Sequence, residues 1–119
     1  MFPSCYSDSR QRFLDLARQK NWRIETLPLE QTGPDGEELA IDVAFSPNEQ
    51  ADRRLVISSG VHGVEGFFGA AVQFATLEEW IDELPDNVGC QFIHAINPYG
   101  YAHRRRFNEE NVDPNRNFL

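Results

Sequence analysis

Residues 55–66 read LVISSGVHGVEG, and this stretch decides how the 119-residue sequence folds. It opens on the apolar run at residues 55–57, which is typical of a strand buried on both faces of a sheet. Residues 67–84 then carry apolar side chains at helical spacing, which predicts a mostly buried helix, and residues 91–96 form a second apolar run. A strand, a glycine-rich turn, a helix and a second strand predict a βαβ unit, whose functional residues lie at the carboxyl ends of its strands.

The residues before this unit predict a helix followed by a hairpin. Residues 7–20 carry an apolar stripe, and Ser7 is expected to cap their helix. Residues 22–29 and 39–45 alternate between apolar and polar side chains, and the turn sequence GPDG at residues 33–36 lies between them. Together with the βαβ unit, these elements predict an α/β fold, which is a mixed sheet with helices on both faces.

Composition excludes several classes of function. Nineteen acidic and eleven basic residues give a net charge of −8, which repels phosphate backbones and argues against nucleic-acid binding. No apolar run approaches the roughly 20 residues of a membrane span, and the opening sequence MFPSCYSDSR lacks the features of a secretory signal. The two cysteines, Cys5 and Cys90, do not suggest a disulfide framework, so a reducing, cytoplasmic location is expected.

His62 and Glu65 are the first candidates for chemistry, because they lie three residues apart where the predicted strand meets the predicted helix. At helical spacing, an imidazole nitrogen and a carboxylate oxygen on one face can bind the same Zn²⁺ ion. Taken alone, such a pair is more often a solvated polar pair. The surrounding glycines also suggest a dinucleotide-binding loop, but His62 occupies a position that this motif reserves for glycine, and Glu65 would repel a pyrophosphate.

The second candidate is the polar segment at residues 104–117. The three arginines at residues 104–106 suggest a basic patch or a solvated turn, and the acidic residues that follow neutralise their charge. The asparagines and arginines around them favour an anion-binding loop, because a guanidinium group donates two hydrogen bonds to a carboxylate and an amide can add a third. Asp113 offers an acceptor for the second N–H of a metal-bound imidazole.

The motifs SGVHGVEG at residues 59–66, NPYGY at residues 97–101 and DPNRNF at residues 113–118 resemble three successive motifs of the M14-like zinc carboxypeptidases. The sequence is similar to the DUF2817 branch of these proteins over nearly the whole chain. The resemblance implies a zinc-carboxypeptidase-like fold of the phosphorylase/hydrolase-like type. It also implies that residues 1–119 form the N-terminal part of a single M14-like metallopeptidase domain, truncated at its C-terminal side.

The resemblance further implies hydrolysis of an amide bond next to a free carboxylate, in a peptide or a small molecule, with zinc as the cofactor. His62 and Glu65 match the first two zinc ligands of the family, and Asp113 matches the acceptor that orients the histidine. The third zinc ligand, which is a histidine, and the catalytic glutamate of the family match positions after Leu119.

On the substrate side, Arg106 matches the catalytic arginine that polarises the scissile carbonyl and stabilises the oxyanion, although two further arginines directly before it leave the register open. Asn115 and Arg116 match the pair that binds the terminal carboxylate of the substrate. Phe118 stands where carboxypeptidases often carry an aromatic residue.

The two other histidines do not match the third ligand. His94 lies in a predicted core strand and is expected to be packed and hydrogen-bonded, and His103 is expected to be a surface group. Residues 1–119 alone are therefore expected to be inactive and to expose an unpaired sheet edge, which favours oligomers or poor solubility. Two alternatives stay open: a zinc deacylase of N-acyl amino acids, and a non-catalytic module that binds anions.

Overall fold

The structure is a computed structural model that describes residues 2–117 of the chain. Its main helices and strands are, in chain order, α1 (Tyr6–Gln19), β1 (Arg23–Thr32), β2 (Glu38–Phe45), β3 (Arg53–Ser58), α2 (Gly66–Ala75), β4 (Val88–His94) and α3 (Pro98–Ala102). A 3-10 turn (Gly63–Glu65) precedes α2, and a π-helical turn (Thr76–Trp80) and a second 3-10 turn (Ile81–Glu83) follow it. Among residues 2–117, no helix has the length and apolar character needed to cross a membrane.

The four strands form one mixed sheet in the order β1-β2-β4-β3. β2 pairs antiparallel with both β1 and β4, whereas β3 pairs parallel with β4. The predicted hairpin is confirmed together with its turn, in which the Gly36 N–H donates to the Gly33 carbonyl at 3.0 Å and Gly36 has a φ of 79°. The parallel pair β3 and β4 confirms the βαβ unit, and the fold is mixed α/β as predicted.

β3 lies at an edge of the described sheet, and this corrects the prediction that residues 55–57 are buried on both faces. Leu55 is 39% exposed and Val56 is 52% exposed. Within the part of the chain that the structure describes, β4 alone pairs with β3, so side chains of β3 have neighbouring side chains on one flank only. An apolar, β-branched run indicates that a strand forms, but it does not fix how many neighbours that strand has.

α1 begins at Tyr6, and its N-cap is Cys5 rather than the predicted Ser7. Cys5 has an extended backbone with φ −151° and ψ 174°, and its Sγ accepts a hydrogen bond from the Asp8 N–H at 3.5 Å. Because Ser7 already lies inside the first turn, its side chain does not occupy the flanking position from which a cap reaches the free N–H groups.

The helical stretch predicted over residues 67–84 starts as α2 and continues through the two irregular turns to Glu83. Phe74 is buried as predicted, whereas Val72 is 45% exposed, Trp80 is 68% exposed and Ala75 is exposed as well, so the prediction of a mostly buried helix is wrong for these three residues. A π-helical turn changes the rotation per residue. The apolar stripe of α2 therefore does not continue in phase to Trp80.

α1 and α2 pack with β4 into one hydrophobic core. The Phe13 ring of α1 stacks on His94 at the end of β4, with 5.1 Å between ring centroids. Arg10 of α1 donates from Nε to the buried Asp42 of β2 at 2.7 Å. These contacts fix α1 against the end of the sheet at which β3 and β4 terminate, and the candidate site lies beyond that end.

Candidate metal centre

The candidate site begins in the loop that follows β3. Hydrogen bonding between the two parallel strands continues past their ends, because the Ile96 N–H donates to the Ser59 carbonyl at 2.9 Å and the Asn97 N–H donates to the Gly60 carbonyl at 2.8 Å. Gly60 has a φ of 64°, in the left-handed region that favours glycine. The chain turns there and leads to His62, which lies beyond the carboxyl end of β3 as the βαβ pattern predicts.

Gln73 of α2 was not among the predicted site residues, yet its side chain holds the loop after β3. Its side chain is fully buried. Its Oε1 accepts from the Ser59 hydroxyl at 3.0 Å, and its Nε2 donates to the carbonyls of Ile57 and Ile93 at 3.2 and 3.0 Å. The available signal was a glutamine inside an otherwise apolar helix, because a buried amide needs partners on both of its polar atoms.

A contact between two backbones holds the next turn against α3. A Cβ atom on Gly63 would lie 1.9 Å from the carbonyl carbon of Gly100, and a Cβ atom on Gly100 would lie 2.5 Å from Asn97 Nδ2. Both distances are far below van der Waals contact, so Gly63 must be glycine for the approach to α3, and Gly100 must be glycine because the Asn97 side chain lies beside it. The 3-10 turn that carries Glu65 therefore packs directly on α3, and the polar segment after α3 reaches His62.

His62 joins the two parts of the candidate centre. Its Nδ1 lies 3.2 Å from Glu65 Oε1, and its Nε2 lies 2.9 Å from Asp113 Oδ1. His62 is 8% exposed, and the side chains of Asp113 and Glu65 are 11% and 69% exposed. Residues 51 positions apart in the sequence thus meet, and the centre opens to solvent on the side of Glu65.

The donor atoms fit a zinc ion. When the Nε2–H of the neutral imidazole donates to Asp113, Nδ1 presents its lone pair to the Glu65 carboxylate. Two acceptors that face each other at 3.2 Å repel unless a proton or a cation lies between them. Two ligands about 2.1 Å from a tetrahedral zinc lie about 3.4 Å apart, which is close to the observed separation. His62 Nδ1 and Glu65 Oε1 are therefore the atoms that would bind the ion.

Residues 2–117 bring no third ligand to this pair, because no group of three or more His, Cys, Asp and Glu side chains among them could hold a metal ion. His94 is fully buried with Nε2 2.7 Å from Ser9 Oγ, which confirms the prediction of a packed, hydrogen-bonded histidine. His103 is half-buried, and its Nε2 lies 3.1 Å from the Thr32 carbonyl oxygen. Both rings are thus engaged away from His62.

Asp113 is shared between His62 and Arg106. Arg106 Nε donates to Asp113 Oδ2 at 3.1 Å, and its Nη2 lies 3.0 Å from the same oxygen. The Asn115 N–H donates to Asp113 Oδ1 at 2.9 Å. Desolvation acts to raise the pKa of Asp113, but the hydrogen bonds from Asn115, His62 and Arg106 outweigh it and hold that pKa below its ordinary value. Asp113 is therefore ionised at neutral pH.

The remaining predicted site residues lie at the outer side of the centre. The Arg106 side chain is half exposed and joins the centre through Asp113. Asn115 and Arg116 are exposed, in a turn that the Arg116 N–H closes by donating to the Asp113 carbonyl at 3.0 Å. Arg116 Nη1 donates to the Asn115 carbonyl at 3.0 Å. The carboxylate-binding role of this pair stays a prediction, and Phe118 lies outside the described residues.

Solved structures share this fold. The chain is similar to a Shewanella amazonensis protein described as a "putative metallopeptidase", with 26% identity and a TM-score of 0.68, over 95% of this chain and 40% of that one. A metallo-carboxypeptidase from Burkholderia cenocepacia matches with 15% identity and a TM-score of 0.63, over 93% and 32% of the two chains. A glutaminyl cyclase from Macrostomum lignano matches with 22% identity and a TM-score of 0.51, over 76% and 30%. The last two likenesses concern the fold alone.

These comparisons bear on family rather than on activity. The chain spans about two fifths of the Shewanella amazonensis structure, covering 40% of it. No curated protein matches the sequence. Residues 2–119 match the family described as "Protein of unknown function (DUF2817)". The match covers nearly the whole sequence and agrees with the resemblance of the three motifs, so this chain belongs to the DUF2817 family.

Proposed function

We propose that this chain provides part of the active centre of a zinc-dependent hydrolase, which cleaves an amide bond next to a free carboxylate in a peptide or an N-acyl amino acid. The observation that carries the proposal is the pair His62 Nδ1 and Glu65 Oε1, which lie 3.2 Å apart while Asp113 is bonded to the opposite nitrogen of the ring. Similarity to the Shewanella amazonensis structure described as a "putative metallopeptidase" supports this class of reaction.

Zinc bound at this pair would act as a Lewis acid that polarises the carbonyl group of the substrate. Asp113 accepts the Nε2–H of His62 and so selects the tautomer in which Nδ1 can bind a metal. The same carboxylate holds the Arg106 guanidinium beside the centre. Arg106 is then the donor that stabilises negative charge on the carbonyl oxygen, and one such donor is typically worth about 3–4 kcal/mol.

Asn115 and Arg116 are proposed to bind the carboxylate of the substrate. Both are exposed, and the turn that carries them starts at Asp113, so they border the centre along the chain. A guanidinium group donates two parallel hydrogen bonds to a carboxylate, and the asparagine amide can donate a third. This pair would require the substrate to carry a free carboxylate near the bond that is cleaved.

Zinc binding and ligand binding, rather than turnover, test this proposal on the 119-residue chain. Catalytic zinc sites use three protein ligands, and residues 2–117 place two side chains at the centre. We therefore expect zinc to bind weakly and the chain by itself not to catalyse hydrolysis. Calorimetry and metal analysis should detect one zinc ion per chain that is lost in His62→Ala and Glu65→Gln and retained in the matched control His103→Ala.

The carboxylate pair is tested in the same samples by backbone NMR. In the presence of zinc, an N-acetylated amino acid should shift the signals of Asn115 and Arg116, whereas the corresponding carboxamide should leave them in place. Zinc that stays bound after His62→Ala would put the metal elsewhere in the molecule. Equal shifts with the acid and the amide would remove Asn115 and Arg116 from carboxylate recognition.

A further inference from the structure

Asn97 stands where three segments of the candidate centre meet. It lies three residues after His94, the last residue of β4, and is 2% exposed. Its backbone N–H donates to the Gly60 carbonyl at 2.8 Å, and its carbonyl accepts from the Tyr101 N–H at 3.0 Å. The Asn97 backbone therefore joins the loop that leads to His62 with the first turn of α3.

The side chain of Asn97 extends these contacts to the Arg106 segment. Its Oδ1 accepts from the Gly100 N–H at 2.8 Å and so caps α3, while its Nδ2 donates to the Arg106 carbonyl at 3.2 Å. The two amide atoms thus have different partners: Oδ1 caps α3, and Nδ2 bonds the loop that follows α3. Among the side chains of similar size, asparagine combines one acceptor atom and one donor atom in this way.

The contacts of Asn97 close a ring around the centre. From Arg106, the guanidinium group donates to Asp113, and Asp113 accepts from His62. His62 follows Gly60 by two residues, and Gly60 accepts from Asn97. The Asn97 amide is therefore one of the contacts that set the position of the Arg106 backbone relative to the His62 loop, together with the neighbouring Arg105 N–H, which donates to the Gly100 carbonyl at 2.7 Å.

We propose that Asn97 is a positioning residue of this centre, which holds Arg106 at the distance where its guanidinium and His62 share Asp113. This inference rests on the proposed function only in that it concerns the same group of residues. It assigns a role to the NPYGY segment that neither metal binding nor carboxylate recognition uses. It predicts that the Nδ2 donor, rather than the Oδ1 cap, controls the contact between Arg106 and Asp113.

Two substitutions separate the donor from the cap. Asn97→Asp and Asn97→Ser both keep an oxygen that can cap α3 and lose the Nδ2 donor to Arg106, and the serine variant does so without adding charge. Asn48→Asp is the matched control. Asn48 is another amide that joins backbone segments, with Nδ2 donating to the carbonyls of Asp86 and Val88 at 2.9 Å, and it lies at the other end of β4.

The readout is the Arg106 Nε–H cross-peak in ¹⁵N NMR spectra of the full chain without metal at mildly alkaline pH. Hydrogen bonding to Asp113 slows exchange of this proton with water, and Asp113→Ala gives the spectrum of a broken contact. We expect the cross-peak in the unaltered chain and in Asn48→Asp, and its loss in both Asn97 variants while the methyl signals of the core stay in place. A cross-peak that persists in both Asn97 variants would overturn the proposal.

A measurement on the unaltered chain keeps the test decisive if the variants do not fold. A scalar coupling across the hydrogen bond between the Asn97 side-chain amide and the Arg106 carbonyl is expected, and its absence would also overturn the proposal. Because neither readout involves zinc, a chain that binds no metal would defeat the proposed function and still leave the role of Asn97 to be decided by these spectra.

Discussion

His62 and His94 lie at the same end of two neighbouring parallel strands, yet their surroundings give them opposite roles. Each ring uses Nε2 to contact a polar side chain, with 2.9 Å to Asp113 Oδ1 and 2.7 Å to Ser9 Oγ. The difference lies at Nδ1. That of His62 faces the exposed Glu65 carboxylate, whereas the buried Nδ1 of His94 has no hydrogen-bond partner among the described residues. The surroundings of Nδ1 therefore distinguish His62, a candidate metal ligand, from His94, a core residue.

The surroundings of His94 fit a structural role. The ring is fully buried and stacks on Phe13, and burial lowers the pKa of His94 to about 4 because the charged imidazolium would lose its hydration. Through Ser9, the neutral ring holds α1 against the end of β4. The solvent-accessible centre around His62 thus lies beside a buried core that contains His94. Three predictions compare these two regions.

The largest effect is expected from Gly63→Ala, which changes the turn between His62 and Glu65 in the solvent-accessible centre. The new methyl group would overlap the Gly100 carbonyl carbon, at 1.9 Å, and backbone atoms cannot turn aside as a flexible side chain can. Overpacking typically costs 1–3 kcal/mol and sometimes more, so we expect a loss of more than about 3 kcal/mol in the free energy of unfolding. Urea unfolding followed by circular dichroism measures it.

Gly36→Ala is the matched control for this substitution. Gly36 also needs its glycine, with a φ of 79°, but a Cβ atom there would meet no heavy atom within 4 Å. Its cost is therefore the backbone strain of about 1–2 kcal/mol alone. If Gly63→Ala were no more costly than Gly36→Ala, the close approach of the Gly63 turn to α3 would not exist in solution.

This approach marks the limit of what the sequence could predict about the site. His62, Glu65 and Asp113 could be nominated, because each residue type matches its chemistry and the three motifs follow in order. That Gly63 meets Gly100 could not be predicted, because a glycine in a sequence does not specify which backbone approaches it. Asn97 could be recognised as the first residue of the NPYGY motif, but the partners of its amide depend on how distant loops pack.

The fold, like the site, could be predicted from the sequence only in part. Alternating side chains and a GPDG turn predicted the hairpin of β1 and β2, since both signals are local. The cap of α1 was placed at Ser7 instead of Cys5, because a cap depends on the backbone angles of the flanking residue rather than on its preference alone. The exposure of Val56 on β3 could not be foreseen, because the number of neighbouring strands is a property of the assembled sheet.

The second prediction concerns the buried core and its dependence on pH. Unfolded chains protonate His94 near its ordinary pKa of 6.5, whereas the folded chain keeps it neutral down to about pH 4. Its contribution to stability is therefore complete above pH 6.5 and is lost as the pH falls through that window to 4. The shift corresponds to about 3 kcal/mol in the free energy of unfolding.

Urea unfolding at several pH values should measure this loss, with His94→Gln as the reference. The glutamine variant should lose about 3 kcal/mol less than the unaltered chain between pH 6.5 and 4. The difference between the two slopes isolates His94 from the carboxylates, because those are present in both chains. Parallel slopes would mean that the ring is not held neutral by the core.

The third and smallest effect compares the two Nε2 partners directly. Asp113→Ala removes the acceptor that orients His62, and loss of such a partner typically weakens metal binding 10–100-fold, which corresponds to about 1.4–2.7 kcal/mol of binding free energy. Ser9→Ala removes the corresponding partner of His94. The His94 ring faces the core rather than Glu65, and its Nδ1 has no hydrogen-bond partner among the described residues. The zinc affinity of Ser9→Ala should therefore stay within about 2-fold of that of the unaltered chain. Calorimetric titration with zinc measures both variants.

If Asp113→Ala bound zinc as tightly as the unaltered chain, or if Ser9→Ala weakened binding equally, the two histidines would not differ in the way that their surroundings indicate.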